Sequence, residues 1–263
     1  MTSLSPKVEL LIAPDGTLYH LDLKRADGIP SNLILVGAAK RVDENARYFE
    51  KVSFVHTNPV RPEFHIACGV YQGIKLGVLS VGIGTPSMEI VCNELHALFE
   101  YDHESNQWEN PTQPVNIIRL GTCGTSLPDI PLGALAISKY SLGLDNAGLY
   151  YPVFKGDKTA KLLDRAFKKT ILGKLHPELY VAKAASPVVE ILQSVSAELK
   201  IDQIYTGLTT SSPGFFAAEG RKVGRLRPVF SLEQFIEQMN AFSCQGWRII
   251  NHEMETSILF RLL

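Results

Sequence analysis

The chain has 263 residues, of which 45% are hydrophobic and 20% are charged, and its formal net charge is −1 at pH 7. This is the composition of an ordinary globular protein, and the near-zero charge argues against a nucleic-acid-binding surface. Four scattered cysteines without a C-x-x-C pair are typical of reduced thiols and argue against a metal site. No apolar run has the length of a signal peptide or membrane span, so we expect a cytoplasmic protein without a membrane partner.

Strand and helix patterns alternate along the whole chain. In the first half, the predicted elements are, in order, a strand at 33–37, a helix at 41–52, a hairpin with strands at 64–71 and 74–81, a helix that begins at Pro86 and a strand at 115–120. In the second half they are a strand at 132–138, helices at 158–172 and 187–199, a strand at 206–211, a helix capped by Ser231, a strand at 247–251 and a helix from Met254 onward. This alternation predicts a single α/β domain over 1–263, and the polar stretch 102–114 predicts an exposed insertion loop.

A turn that follows one predicted strand has the groups needed to bind an anion. The segment 118–124 leads from the strand into a turn bounded by Gly121 and Gly124. Arg119 and Thr122 place a guanidinium and a hydroxyl beside backbone N–H groups, which is what an oxyanion such as phosphate requires. The alternative is that Arg119 pairs with a buried carboxylate, because an unpaired guanidinium inside an apolar strand is costly.

Two further glycine turns follow predicted strands. Arg41 comes just after the Gly37 turn, where the N-terminus of the next helix also favours negative charge, although a surface arginine is the alternative. The segment 82–84, Gly-Ile-Gly, is half of a dinucleotide-binding fingerprint, but the third glycine and the expected acidic residue are missing. A nicotinamide enzyme is therefore not indicated, and tight packing of strand against helix explains these glycines equally well.

The C-terminal half carries residues suited to a base and a sugar. Phe215, Phe216 and Arg221 offer aromatic faces and a guanidinium that can stack on and hydrogen-bond a flat heterocycle. Glu253 and Glu255 flank a methionine and are suited to binding sugar hydroxyls, although two acids at a helix N-terminus are also favoured by the helix dipole. Phosphate, base and sugar sites together indicate a phosphorylase that acts on nucleosides.

Taken in order, these segments resemble the nucleoside phosphorylase family, and most closely its uridine phosphorylase branch. The matching segments are Tyr19-His20-Leu21, Gly37-Ala-Ala-Lys-Arg41, Gly82-Ile-Gly-Thr-Pro-Ser87, Arg119-Leu-Gly-Thr-Cys-Gly124, Phe215-Phe-Ala-Ala-Glu-Gly-Arg221 and Glu253-Met-Glu-Thr256. The resemblance covers nearly the whole chain. It implies a three-layer α/β/α domain with a central mixed, partly barrel-like sheet.

The resemblance also implies a role for each matching residue. The implied phosphate-binding residues are Gly37, Arg41, Arg61, Arg119 and Thr122, the ribose-binding residues are His20, Thr122, Met254 and Glu255, and the base-binding residues are Gly124, Phe215, Glu219 and Arg221. The implied catalytic residues are Arg119, Arg221 and Glu255. His20, which alone would be read as a surface or packing histidine, and Arg61 are expected to complete the site of a neighbouring subunit, so we expect a homo-oligomer that is at least a homodimer.

The sequence departs from the family pattern at three places. The cross-subunit phosphate arginine falls at Pro62, with Arg61 one residue earlier, and neighbouring positions on a strand face opposite sides. The base-reading glutamine is Glu219, which as a carboxylate only accepts hydrogen bonds. It can accept from a uracil N3–H, pair with Arg221, or favour a base with more donors. The resemblance also implies a further strand and helix after Leu263, which this chain lacks. A partner chain could supply these elements, or the sequence could come from a truncated gene model.

The function implied by the resemblance is phosphorolysis of a nucleoside, uridine or a related pyrimidine nucleoside, to free base and ribose 1-phosphate. The expected partners are the nucleoside and phosphate, with phosphate as co-substrate and no metal or organic cofactor. Three alternatives remain open at this point. They are a purine-type phosphorylase, a hydrolytic nucleosidase, for which the arginines have no purpose, and a nucleoside-binding or storage protein that has lost turnover.

Overall fold

A computed structural model describes residues 9–109, 114–152 and 157–263 of the chain. The chain divides into two compact units, the first formed by Met1–Ile83 and Ile90–Gly121 and the second by Gly84–Glu89 and Thr122–Leu263. Each unit contains one five-stranded sheet. The chain passes between the units three times, before Gly84, within the helix between Glu89 and Ile90, and after Gly121, so no linker composition marks the division in the sequence.

The first unit is built on a mixed sheet with the strand order β2-β3-β4-β1-β7. Its strands are β1 (Asn32–Val36), β2 (Lys51–Thr57), β3 (His65–Tyr71), β4 (Ile74–Ser80), the ribbon pair β5 (Tyr101–Asp102) and β6 (Gln107–Trp108), and β7 (Asn116–Leu120). Its helices are α1 (Ala39–Ala46) and most of α2 (Thr85–Glu100). β1 is parallel to β4 and β7, whereas β2, β3 and β4 are antiparallel neighbours.

The second unit has the strand order β11-β12-β10-β8-β9. Its strands are β8 (Leu135–Gly143), β9 (Tyr180–Lys183), β10 (Ile204–Ser211), β11 (Ser243–Cys244) and β12 (Trp247–Glu253). Its helices are α3 (Lys158–Phe167), α4 (Ile171–Leu175), α5 (Ser186–Glu198), α6 (Leu232–Ala241) and α7 (Thr256–Leu262). β10 is parallel to both β8 and β12, so this sheet is mixed as well.

Each sheet has its own apolar core. In the first unit Val36, Val42 and Val78 pack together between β1, α1 and β4. In the second unit Phe167 and Phe235 belong to a larger buried cluster between the sheet and helices α3 and α6. Burial of these side chains is the main stabilising contribution of both units. The predicted α/β class is confirmed, and the strands form two five-stranded mixed sheets.

Several predicted elements have different limits in the structure. The helix predicted at 41–52 is wrong beyond Ala46, because residues 51–57 form β2, where β-branched and aromatic side chains favour a strand. The helix predicted at 158–172 is two helices, since the Thr170 side chain accepts a hydrogen bond from the Gly173 amide at 2.9 Å and starts α4. The strand predicted at 132–138 begins at Leu135 and continues to Gly143, and β9 was not predicted.

Two other expectations concern exposure and membranes. Within the polar stretch 102–114, residues 104–109 are exposed and include β6, while 110–113 lie outside the described residues. Among the described residues, no helix has both the length and the apolar character needed to cross a bilayer.

Candidate active site

Three parallel strands of the first unit end together. Val36, the last residue of β1, pairs with Ser80 on β4 and with Leu120 on β7. Gly37 and Gly121 therefore follow at the same edge of the sheet. Ligands of open α/β sheets bind at the carboxyl ends of parallel strands, so this edge is where an anion site is expected.

Two arginines lie at this edge. Arg41 is in the first turn of α1, and its backbone N–H donates to the Ala38 carbonyl at 3.0 Å. Arg119 lies near the end of β7, paired with Leu35, and is half-buried. Its guanidinium folds back over Gly121, where an added Cβ would lie 2.1 Å from Nη1. We call Gly37, Arg41, Arg119 and Gly121 the phosphate edge, because these sequence-predicted residues lie at or just after the carboxyl ends of the paired strands β1 and β7.

The buried carboxylate of Glu94 on α2 holds His20. Glu94 is only 4% exposed, and its Oε1 lies 2.6 Å from His20 Nδ1. The backbone N–H groups of His20 and Leu21 also donate to this carboxylate, at 3.0 and 2.7 Å. The Asn58 side chain donates to the His20 carbonyl at 2.8 Å and accepts from the Arg61 backbone N–H at 2.9 Å. His20 and Arg61 are therefore fixed in one hydrogen-bonded cluster.

Arg61 is not on a strand. It lies between β2 and β3 in a turn in which the Phe64 N–H donates to the Arg61 carbonyl at 3.0 Å, and Pro62 occupies the second turn position that proline favours. The guanidinium stacks over the Tyr19 ring at 4.4 Å. Pro62 and Arg61 were expected to face opposite sides of a strand, and this is wrong, because both lie in a turn, where faces do not alternate.

The second unit places a buried carboxylate at its predicted sugar site. Glu255 is 4% exposed, and its Oε1 accepts a hydrogen bond from the Gly84 N–H at 2.6 Å. Gly84 has φ +90°, which favours glycine. A Cβ added to Gly84 would lie 4.0 Å from the Met254 methyl group. The Gly-Ile-Gly segment thus supplies a backbone donor for Glu255.

Glu253 has a different structural role from Glu255. Its Oε2 accepts from the backbone N–H groups of Glu255 and Thr256 at 2.8 and 2.9 Å, immediately before α7. Its Oε1 accepts from the Ser211 hydroxyl at 2.6 Å. The interpretation of an acid at a helix N-terminus is therefore correct for Glu253, which fixes the backbone that carries Glu255.

Gly124 is joined to β12 by two backbone hydrogen bonds. Its N–H donates to the His252 carbonyl at 3.0 Å, and the His252 N–H donates to the Gly124 carbonyl at 2.9 Å. A Cβ at position 124 would lie 2.4 Å from His252 Nε2, so glycine allows the imidazole to sit against the turn. Thr122, two residues earlier, is exposed.

The predicted base-binding segment forms a short turn of 3-10 helix at Ala217–Glu219. It ends at Gly220, which has φ +74° and lies so close to the Ser231 backbone that a Cβ would be 2.4 Å from it. Arg221 Nη2 lies 2.8 Å from Glu219 Oε2, and the guanidinium sits 4.5 Å from the centre of the Phe215 ring. Of the alternatives for Glu219, pairing with Arg221 is the one that the structure shows.

His252 is a member of this group that the sequence did not reveal. Its side chain is 10% exposed, and Nε2 lies 3.8 Å from Glu219 Oε2. Its ring packs edge-on against Phe235 at 5.4 Å. Burial, reinforced by the charge of Arg221, lowers the pKa of His252 to about 4, so the ring is neutral at pH 7. No local pattern identifies it, since its neighbours come from distant parts of the chain.

Glu219 itself is 2% exposed. Burial raises the pKa of its carboxyl, and the charge of Arg221 opposes this rise. We call Gly124, Phe215, Glu219, Arg221 and His252 the base end. Glu219 and Arg221 carry opposite charges, His252 is neutral, and Phe215 is the exposed aromatic surface, with half of its area open.

Comparison with known proteins places these motifs in a family. The family described as the Phosphorylase superfamily matches residues 33–262. The chain belongs to this superfamily. The match spans both units, and the predicted resemblance to nucleoside phosphorylases is confirmed.

Individual members of the phosphorylase superfamily are similar over most of the chain. The uridine phosphorylase of Thermococcus kodakarensis is 22% identical, covering 94% of this chain and 72% of that protein. The uridine phosphorylase of Haemophilus influenzae is 25% identical, covering 93% of this chain and 79% of its own. A Trypanosoma brucei nucleoside phosphorylase whose crystal structure is described as showing uridine phosphorylase activity superposes with a TM-score of 0.84 and 30% identity, over 97% of this chain and 85% of that one.

Proposed function

We propose that the protein catalyses the reversible phosphorolysis of a nucleoside, with uridine as the preferred substrate, to free base and ribose 1-phosphate. The observation that carries this proposal is the phosphate edge, where parallel strands end together at glycines beside Arg41 and Arg119. A hydrolase that uses water has no need of this cationic site. The similarity to uridine phosphorylases supports the choice of nucleoside.

Phosphate is the nucleophile in this scheme. Arg41 and Arg119 hold the dianion, and one of its oxygens forms a bond to the anomeric carbon while the glycosidic C–N bond breaks. The two guanidinium groups orient the dianion, and its negative charge stabilises the positive charge that develops on the ribosyl group. No metal or organic cofactor takes part in the proposed reaction.

The ribose is held by Glu255, whose carboxylate accepts hydrogen bonds from sugar hydroxyls. Its Oε1 is already fixed by the Gly84 N–H, and Glu253 fixes its backbone N–H. Both constraints orient the carboxylate before the substrate binds, which reduces the entropy cost of binding. Met254 provides an apolar surface for the sugar ring.

The departing base takes the electron pair of the broken bond. Arg221 donates a hydrogen bond to a carbonyl oxygen of the base and stabilises this charge. Phe215 provides an aromatic face for stacking. Both residues have substantial exposed area and so are available to a ligand.

His20 and Arg61 are proposed to complete the site of an adjacent subunit, so the enzyme is at least a homodimer. The support is that Glu94 and Asn58 fix both residues in one cluster, although they are distant in sequence. Sedimentation velocity at micromolar concentration is expected to show a dimer or larger assembly. A monomer would contradict both assignments.

One observation favours a second candidate function, a nucleoside-binding protein with impaired turnover. The ion pair with Glu219 partly neutralises Arg221, which weakens its pull on the departing base. Such a protein would bind uridine without releasing uracil.

A nucleoside panel separates these functions. Uridine, thymidine, cytidine and inosine are incubated with and without phosphate, and free base is measured. Phosphate-dependent release of uracil is expected. Release without phosphate would indicate a nucleosidase, and binding without release in either condition would indicate the second candidate.

A further inference from the structure

We propose that Glu219 is a positioning residue that acts on the nucleoside only through Arg221, so that a fixed guanidinium, and not an acid, reads the base. This inference rests on the proposed function and deepens it, because it restricts the substrates to nucleosides whose base presents a carbonyl oxygen at the base end. The sequence pattern instead places Glu219 itself on the base.

Glu219 is far less accessible than its two neighbours at the base end. The residue is 2% exposed, whereas the Arg221 side chain is 36% exposed and Phe215 is 51% exposed. The polar group that the base end offers to a ligand is therefore the guanidinium. The carboxylate lies behind it.

The negative charge of Glu219 is compensated by the positive charge of Arg221. A buried carboxylate is stable only if its charge is compensated, and Arg221 Nη2 at 2.8 Å provides this compensation. His252 Nε2 is 3.8 Å away, too far for a hydrogen bond, and its ring is neutral. His252 therefore covers the carboxylate without competing for it.

The guanidinium is restrained on two sides. Glu219 holds Nη2, and the ring of Phe215 lies 4.5 Å from Cζ. A planar guanidinium has five N–H donors and no acceptor, so donors remain after the ion pair forms. Arg221 Nε and Glu219 Oε2 are both buried without a hydrogen-bond partner among the described residues, so the 2.8 Å contact between the two side chains is an ion pair and not an aligned hydrogen bond. A carbonyl oxygen of a bound base would satisfy donors of this group.

This arrangement selects the chemical class of the base. A group that only donates hydrogen bonds can bind uracil, thymine or a 6-oxopurine through a carbonyl oxygen. Cytosine has an amino group at this position. The amino group and the guanidinium are both hydrogen-bond donors, so neither satisfies the other. Sites built for one hydrogen-bond polarity reject the opposite polarity strongly.

A double-mutant cycle tests the inference. The variants are Glu219→Gln, Arg221→Met and the double variant, with Glu237→Gln on the exposed surface of α6 as the matched control for loss of a carboxylate. Uridine affinity is measured by calorimetry without phosphate, and kcat/KM for uridine and cytidine is measured with phosphate. The two readouts keep binding separate from turnover.

We expect Glu219→Gln to weaken uridine binding about 10-fold and to reduce the preference for uridine over cytidine, with KM affected more than kcat. The double variant is expected to match Arg221→Met, because residues that act through one another are not additive. Glu237→Gln should match the natural protein. Arg221→Lys, which keeps the charge but lacks the planar fork, should also lose the preference for uridine.

Two results would overturn the inference. One is undiminished or tighter uridine binding by Glu219→Gln, which would show that Arg221 does not need this carboxylate to bind the base. The other is full additivity in the cycle. If uridine binds and the cycle shows coupling but no uracil is released with phosphate, the proposed function fails while this inference stands.

Discussion

The phosphate edge and the base end are built in different ways. At the phosphate edge, regular parallel strands end in register, and Gly121 leaves room for the guanidinium of Arg119. At the base end, a short turn, a buried ion pair and a strand residue meet from separate segments. The first arrangement follows from local sequence patterns, and the second depends on tertiary contacts. Substitutions at the two places should therefore have different effects on activity and stability.

The largest effect is expected at the phosphate edge. Arg119→Ala removes a guanidinium from the proposed dianion site and should lower phosphate-dependent kcat/KM by about 10³-fold while the fold is kept. Arg165→Ala, an exposed arginine on α3, is the control and should have no effect. Turnover near the natural rate in Arg119→Ala would show that phosphate is held elsewhere.

A smaller loss is expected at the sugar site. Glu255→Gln keeps the size of the side chain and an acceptor for the Gly84 N–H but removes the charge that strengthens hydrogen bonds to sugar hydroxyls. We expect kcat/KM for uridine to fall by about 10- to 100-fold with little change in phosphate affinity. Steady-state kinetics with each substrate varied provides the check; a selective loss of phosphate affinity would contradict the assignment.

Glycine at the phosphate edge provides a milder test. A Cβ at position 121 would lie 2.1 Å from Arg119 Nη1, so Gly121→Ala should displace the guanidinium and reduce activity about 10-fold. The free energy of unfolding should barely change, because the end of a flexible side chain can move. Gly224→Ala, where no atom lies within 4 Å, is the matched control. Equal activities of the two variants would argue against this close approach.

At the base end, the buried His252 should make the free energy of unfolding depend on pH in the acid range. The pKa of His252 is about 4 in the folded protein and 6.5 is its ordinary value, so between these values the unfolded chain binds a proton that the folded chain does not. Stability attributable to His252 is therefore lost as pH falls from about 6.5 to about 4, by up to about 3 kcal/mol.

His252→Gln removes this titration. Urea unfolding at pH 7.5 and pH 4.5 should show a smaller difference in unfolding free energy for the variant than for the natural protein. If both proteins lose the same amount of stability between these pH values, His252 is not buried as a neutral ring.

The sequence predicted the elements that carry the phosphate edge because their patterns are local. The apolar run that forms β1, the hairpin of β3 and β4, and Arg119 near the end of β7 all have the expected periodicity or turn residues. Motif order then identified the family.

Other features had no local signal. His252 is recognised only through its contacts with Gly124, Phe235 and Glu219, which lie far from it in the chain. Pro62 was misread because the limits of β2 and β3, which place Arg61 in a turn, do not follow from residue preferences alone. Burial of Glu219 behind Arg221 likewise depends on tertiary packing, and it changes the interpretation of a position that the family pattern assigns to the base.

The most direct test of the account is the sugar product formed from uridine as phosphate concentration is varied. Uracil is measured by absorbance and the sugar by phosphorus NMR. If the protein is a phosphorylase, uracil and ribose 1-phosphate appear in equal amounts, at a rate that rises with phosphate and then saturates. Uracil accompanied by free ribose, at a rate independent of phosphate, would contradict it.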